Sequence, residues 1–359
     1  MRQSTVLGAL LGLSLVASYL TWTAEDEGET KASEVVVLRA SEDELTSVSW
    51  SDEKVSVEVK RPQDEQGPYL WVDLTERTEE KVPAPPPAEG ELPGEPTTRT
   101  VETKLSFLGN DAAGEVWAGF APLRALRELP LGQDADLAAY GLDAPKARIE
   151  VKKGGEVVTL EVGGESYGTK DRYVRWGDRL LLLDDALLRP LQYARTRMVD
   201  RRLFPLEEKA VERVSVKRGE QVRTFVQKNA ADATKAFYAD AASPDRKDVE
   251  GTAWLGKLLR IRSKDFVDGA AVPAGLTPVF SFVVEGGGKR WPVEVVKTGE
   301  GDRWFARAAF TRGVVELTKS LVQEPVNDLD ALFDDDHGAE EPAEEPIEVA
   351  PGPPGASVP

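Results

Sequence analysis

The sequence predicts an α+β protein made of two tandem related units behind an N-terminal membrane helix. Each unit is mainly antiparallel β hairpins covered by one or two helices. Three observations carry this expectation: short alternating strands joined by polar or Gly-containing turns, a hairpin series that occurs twice, and an uncharged run near the N-terminus. The chain has 359 residues, room for about two domains at roughly 100–200 residues each. Its apolar fraction of 41% suffices for a core. With no cysteine and one histidine, thiolate sites, cysteine nucleophiles and multi-histidine metal sites are excluded.

Residues 1–24 are read as a signal anchor. Arg2 precedes an uncharged stretch from Val6 to Trp22, and the acids Glu25, Asp26 and Glu27 follow. Those 17 residues make a helix of about 25 Å, at the short end of what crosses a bilayer. Tyr19 and Trp22 stand where amphipathic rings favour the interface. This places the chain, by expectation, as a single-pass protein of the bacterial inner membrane with its bulk in the periplasm, held through residues 6–22. The competing reading is a cleaved signal peptide, for which Val16-Ala17-Ser18 offers small residues but no clean A-x-A site. An acidic linker, 25–34, comes next.

The first unit is assigned to 35–204 and the second to 205–333. In the first, Thr46–Trp50 and Val55–Lys60 alternate around a polar turn. Ile149–Lys152 with Val157–Val162, and Tyr173–Trp176 with Leu180–Leu183, form two further hairpins. The series recurs as Ala210–Val216 with Val222–Val226, Val279–Glu285 with Trp291–Val296, and Trp304–Phe310 with Val314–Leu317. Each third hairpin leads into a short helix, Asp184–Leu191 or Thr318–Gln323, opened by a capping residue type. Each unit also has a helix between its first and second hairpins. Glu115–Leu129 carries Val116, Phe120, Leu123 and Leu126, with Pro122 as a break or restart. Lys247–Ile261 carries Val249, Trp254, Leu255, Leu258 and Leu259.

The remaining segments are polar. Residues 82–98 hold six prolines and read as an extended insertion in the first unit, matched in position by the looser connector Asn229–Asp248 in the second. Residues 334–359 hold eight acids, no Lys or Arg and six prolines, and read as a disordered tail. The net charge of −18 is concentrated in these segments: −4 in 25–34, −3 in 82–98 and −8 in 334–359, leaving −3 for everything else. The expectation of no nucleic-acid partner therefore rests on export rather than on net charge.

Asp136-Leu-Ala-Ala-Tyr-Gly-Leu-Asp-Ala-Pro145 reads as a short helix ending at Tyr140, a left-handed cap at Gly141 and a stop at Pro145. A short acidic-leucine helix, then Y-G-L-D-x-P, then strand, Gly-Gly hairpin and strand, resembles the domain-of-unknown-function 4340 family. Val162-Gly-Gly-Glu165, Tyr173-Val-Arg175 and Asp200-Arg-Arg-Leu-Phe204 extend the resemblance over about Leu105–Phe204, more weakly over the second unit. It implies a membrane-anchored, exported protein, with some members being auxiliary components beside ABC transporters of the gliding-motility type. It implies no catalytic or ligand residues. The second unit has Gly275-Leu276-Thr277-Pro278 where the motif would stand, keeping Gly-Leu-x-Pro without the acid.

No catalytic, cofactor-binding or metal-binding residue is expected. His337 lies in the tail, and Asp334-Asp335-Asp336-His337 on a flexible chain forms no preorganised metal site. Asp184-Asp185 are read as helix caps rather than a carboxylate pair. One candidate patch for an anionic partner remains, Arg189, Arg195, Arg197, Arg201 and Arg202, with Tyr193 among them. The expected function is that of a non-enzymatic auxiliary or scaffold subunit of an ABC-type transport or cell-envelope complex. The alternative is an envelope glycan- or peptide-binding module whose exposed tryptophans, Trp50, Trp71, Trp176 and Trp304 among them, line a groove; filling of sheet–helix interfaces is the competing role for those rings.

Overall fold

The computed structural model describes residues 34–82, 97–131, 136–232, 234–267, 271–299 and 303–334. The expected membrane helix, nearly all of the linker, the inner part of the Pro-rich insertion and the tail beyond Asp334 lie outside these residues. Among the described residues no helix is long and apolar enough to cross a membrane. The chain divides into two compact units, Met1–Asp200 and Arg201–Pro359. Both are mostly antiparallel sheet with a few helices.

In the first unit the strands are β1 (Val35–Leu38), β2 (Leu45–Asp52), β3 (Val55–Lys60), β4 (Gln63–Asp64), β5 (Gly67–Pro68), β6 (Trp71–Val82) and β7 (Thr97–Leu108). Helix α1 (Asp111–Gly119) precedes β8 (Leu123–Ala125) and β9 (Arg127–Leu129). Then come β10 (Ala147–Lys153), β11 (Glu156–Glu165), β12 (Arg172–Trp176), β13 (Arg179–Leu183), α2 (Asp185–Gln192) and α3 (Ala194–Arg197). Nine strands form one sheet in the order β7-β6-β3-β2-β10-β11-β12-β13-β9, and β1 pairs with β8 beside it.

Period-2 alternation places one apolar row across this sheet. Leu74 stands opposite Val57, Val57 opposite Trp50, Trp50 opposite Ile149, and Ile149 opposite Leu160. Helix α2 packs over β2 and β3 and against α1, burying Leu188 and Leu191. Asp184 caps α2 by accepting from the Ala186 N–H at 2.8 Å, the role its sequence position suggests.

The second unit contains β14 (Arg213–Arg218), β15 (Gln221–Lys228), β16 (Phe237–Asp240), α4 (Val249–Leu258), β17 (Ser263–Phe266), β18 (Thr277–Gly286), β19 (Lys289–Lys297), β20 (Trp304–Ala308), β21 (Gly313–Leu317), α5 (Lys319–Asn327) and α6 (Leu329–Phe333). Its sheet runs β16-β15-β14-β18-β19-β20-β21-β17. With β7 set aside, the first unit has the same order, strand for strand, and the helices fall at the same points in the chain. The two units are thus one β-sheet pattern used twice. Phe225, Phe280, Phe282, Trp254, Leu255 and Leu258 fill the second core, and Leu203 and Phe204, read above as the close of the first unit, belong to it.

Several sequence readings are corrected here. The helix expected over Glu115–Leu129 is Asp111–Gly119; Pro122, without an N–H, follows its end, and 123–125 and 127–129 are short strands. Of the insertion at 82–98 only Val82, Thr97 and Thr98 are described, and they are strand residues. Its ends, Val82 and Thr97, pair with each other and close a hairpin of two 12-residue strands, β6 and β7. The connector Asn229–Asp248 contains β16, which is the edge of the second sheet.

Arg223 ties four elements of the second unit together. It donates to Asp240 at 2.9 Å, to Asp248 at 2.8 Å and to the Leu332 carbonyl at 2.7 Å, while Asp248 caps α4 through the Gly251 N–H. Arg223→Ala leaves two carboxylates and a carbonyl without their donor. It is expected to cost about 2–3 kcal/mol, read as a lower urea midpoint of the second unit's transition.

Tyr238 is buried, and its hydroxyl has no hydrogen-bond partner among the described residues. Burial, with a smaller contribution from Glu208, raises its pKa above the ordinary 10.0. Because the folded form holds the phenolic proton more tightly, this contribution to stability is full below pH 10 and is lost as pH climbs beyond it. Tyr238→Phe removes the orphan hydroxyl. It is expected to leave stability at pH 7 unchanged or higher by up to ~1 kcal/mol, and to flatten the fall in melting temperature between pH 10 and 11.

Candidate functional site

A cleft of about 900 Å³ lies within the first unit. This is toward the upper end of the roughly 300–1,000 Å³ of ordinary ligand pockets. Its walls come from six places in the sequence, brought together by sheet register.

The turn between β2 and β3 gives Trp50, Asp52 and Lys54. Asp52 is fixed there because its carboxylate accepts from the Lys54 and Val55 N–H groups at 2.7 Å and from the Trp50 indole at 2.9 Å. Residues 141–147, carrying Gly141, Asp143 and Lys146, form the next wall. They are positioned by the Y-G-L-D-x-P turn. Asp136 caps a 3-10 helix over Leu137–Tyr140, Gly141 takes φ +64°, and the Leu142 side chain is buried.

That turn lies directly on Gly163 and Gly164. The pairing of β11 with β12 shifts register between Val162 and Glu165, so the glycine pair forms a bulge. A Cβ on Gly163 would stand 2.3 Å from the Tyr140 carbonyl oxygen and 2.9 Å from Leu142 Cγ. The glycine is required by close approach, and the motif and the Val162-Gly-Gly-Glu165 segment are two halves of one contact. In the second unit Gly275 keeps the left-handed φ of +71°, but nothing lies within 4 Å of its would-be Cβ. The turn there is free of such a contact.

Arg172, at the start of β12, makes the fourth wall. Its side chain is 22% exposed; Nη2 pairs with Glu165 at 3.2 Å, and Nε is buried without an acceptor. The fifth wall is the α2–α3 junction, with Tyr193 and Arg195, facing Glu76 of β6. Arg195 is bonded to Glu76 at 2.9 Å, and Tyr193 is 55% exposed.

The arginines of the candidate patch fall in both units. Arg189 is exposed on α2, and Arg195 and Arg197 are exposed on α3 in the first unit, with only Arg195 lining the cleft. Arg201 and Arg202 begin the second unit. Arg201 donates to the carbonyls of Ser263, at 3.2 Å, and of Lys264, and Arg202 lies over the Phe310 ring at 5.9 Å. The cation that sequence reasoning missed is Arg172. Its only sequence signal was the hairpin Tyr173-Val-Arg, one residue away.

None of the described tryptophans is fully exposed. Trp50, Trp117, Trp254, Trp291 and Trp304 are buried, and Trp71 and Trp176 are half-buried. The exposed rings among the described residues are tyrosines, Tyr167 and Tyr193. Among those residues no group of three or more His, Cys, Asp or Glu could hold a metal ion.

Fold and site together define a tandem antiparallel α+β protein whose first unit carries a ligand-sized cleft. The family model described as "Domain of unknown function (DUF4340)" matches residues 118–278, from the end of α1 to the start of β18. That match supports the resemblance to the domain-of-unknown-function 4340 family carried by the Y-G-L-D-x-P motif, over somewhat less than half of the chain. No curated protein and no solved structure matches the chain.

Proposed function

We propose that this chain is a membrane-tethered, extracytoplasmic auxiliary subunit without enzymatic activity of its own, serving an ABC-type transport or cell-envelope complex. Residues 6–22 hold it in the inner membrane, and the two repeated units stand in the periplasm as a scaffold for membrane-protein partners. The observation that carries the reading is the repeat itself. One sheet pattern occurs twice, and among the described residues the added strand β7 and the cleft of about 900 Å³ belong to the first copy. A second copy that keeps the sheet pattern fits a structural role beside a recognising one.

The uncharged Val6–Trp22 run followed by acids supports the tether, and the family resemblance supports the setting. The test is fractionation with protease. In spheroplasts the chain is expected to sediment with inner membranes, resist extraction by carbonate and be digested from the periplasmic side. Release as a soluble protein by carbonate, or protection from external protease, would contradict the reading.

A further inference from the structure

The cleft contains an unspent recognition group. A guanidinium carries five N–H donors and stays charged at any physiological pH. For Arg172 the structure gives a partner only to Nη2, through Glu165, whose own side chain is half exposed. Nε is shut off from solvent and has no acceptor among the described residues, so the guanidinium charge meets the cleft through the 22% of the side chain that is exposed.

The other charges around the cleft do not compete for that role. Asp52 is saturated by three donors, and Glu76 is held by Arg195. Glu53 and Asp143 are exposed at the rim, balanced there by the exposed Lys54 and Lys146. Inside the cleft an anion meets Asp52, which keeps its charge behind three neutral donors, and Glu76, which is paired with Arg195. The exposed ring of Tyr193 and the glycine pair Gly163-Gly164 belong to the same lining, and the ring offers an apolar surface.

We propose that the first unit's cleft is a binding site for a small amphipathic oxyanion, a carboxylate or phosphate joined to an apolar group. Arg172 takes the oxyanion and Tyr193 packs on the apolar part. The site goes beyond the scaffold role and is independent of it, since it needs neither tether nor partner.

The test is calorimetric titration of the full-length protein in detergent with three probes: N-acetylphenylalanine, its neutral amide and phenyl phosphate. The acid and the phosphate ester separate carboxylate from phosphate sources, and the amide removes the charge alone. Saturable binding of the acid or the phosphate ester, at least tenfold tighter than the amide, is the expected result. Arg172→Gln should bring the charged probe down to the level of the amide, Tyr193→Ala should weaken all probes alike, and Arg197→Gln should change nothing. Equal binding of charged and neutral probes, or no binding of any, overturns the proposal. The wild-type comparison decides even if Arg172→Gln fails to fold. Failure here leaves membrane tethering and complex formation standing.

Discussion

Gly163→Ala is expected to destabilise the first unit by about 3 kcal/mol or more, the upper range for inserting a methyl into a packed site. The new Cβ has two obstacles, the Tyr140 carbonyl oxygen at 2.3 Å and Leu142 Cγ at 2.9 Å. The first is backbone and cannot rotate aside. Either the 140–142 turn lifts, exposing buried Leu142, or β11 moves and the β10–β11 ladder breaks. Both also deform the cleft, because Gly141, Asp143 and Gly164 line it. Gly164→Ala is the internal control. Its Cβ would meet the same oxygen at 3.4 Å, an ordinary contact, so a loss below ~1 kcal/mol is expected. Urea unfolding of the two variants measures the difference directly, and equal midpoints would contradict the packing described.

The second large effect belongs to the other unit. Phe282→Ala is expected to cost about 3–5 kcal/mol, the range for removing a fully buried aromatic ring. Phe282 lies on β18 between β14 and β19, where it faces Val216 and Val293. It stacks on Phe280 at 6.1 Å and meets Phe204 edge-on at 6.5 Å. Strand positions cannot close over the space without breaking ladders on both sides, so a cavity remains. The loss should appear in the second unit's unfolding transition, with 1-anilinonaphthalene-8-sulfonate binding rising at lower urea. A loss under 1 kcal/mol would mean that the ring is not at the centre of that core.

How much of this was legible in the sequence depends on whether each strand has one buried face. The hairpins containing Trp50, Val57, Ile149 and Leu160 bury one face, so alternation announced them, while Leu180–Leu183, buried on both faces, stood out as a continuous apolar run; their counterparts around Val214, Phe282 and Val315 announced the repeat. The outer part of the β6–β7 hairpin could not be read this way. Residues 79–82 and 97–100 are exposed on both faces, which leaves alternation no burial signal to record. β16 was hidden by its length, four residues in a polar connector. Leu123 and Leu126 mimicked a helical stripe after Phe120, although these residues belong to three-residue strands and the turn between them, where periods of 2 and 3.6 cannot be told apart.

The candidate site divides the same way. Gly141, Leu142 and Gly163 were visible as local motif mechanics, because a left-handed cap and a glycine pair need no tertiary knowledge. Their meeting with Trp50, Glu76, Arg172 and Tyr193 depends on pairings between residues more than 90 positions apart, such as Trp50 with Ile149. Charge counting along the chain selected Arg189–Arg202, a stretch that the fold splits between two units. It could not select a single half-buried arginine in a strand.

The central claim is that this chain works as a subunit within a membrane complex. The direct measurement is affinity purification of the tagged full-length protein from detergent-solubilised native membranes, with light scattering and mass spectrometry of the eluted species. A particle well above the 39.2 kDa of one chain, containing integral membrane-protein partners in fixed ratio, is expected. Recovery as a lone monomer, under conditions that keep other membrane complexes of the same cells intact, would contradict it.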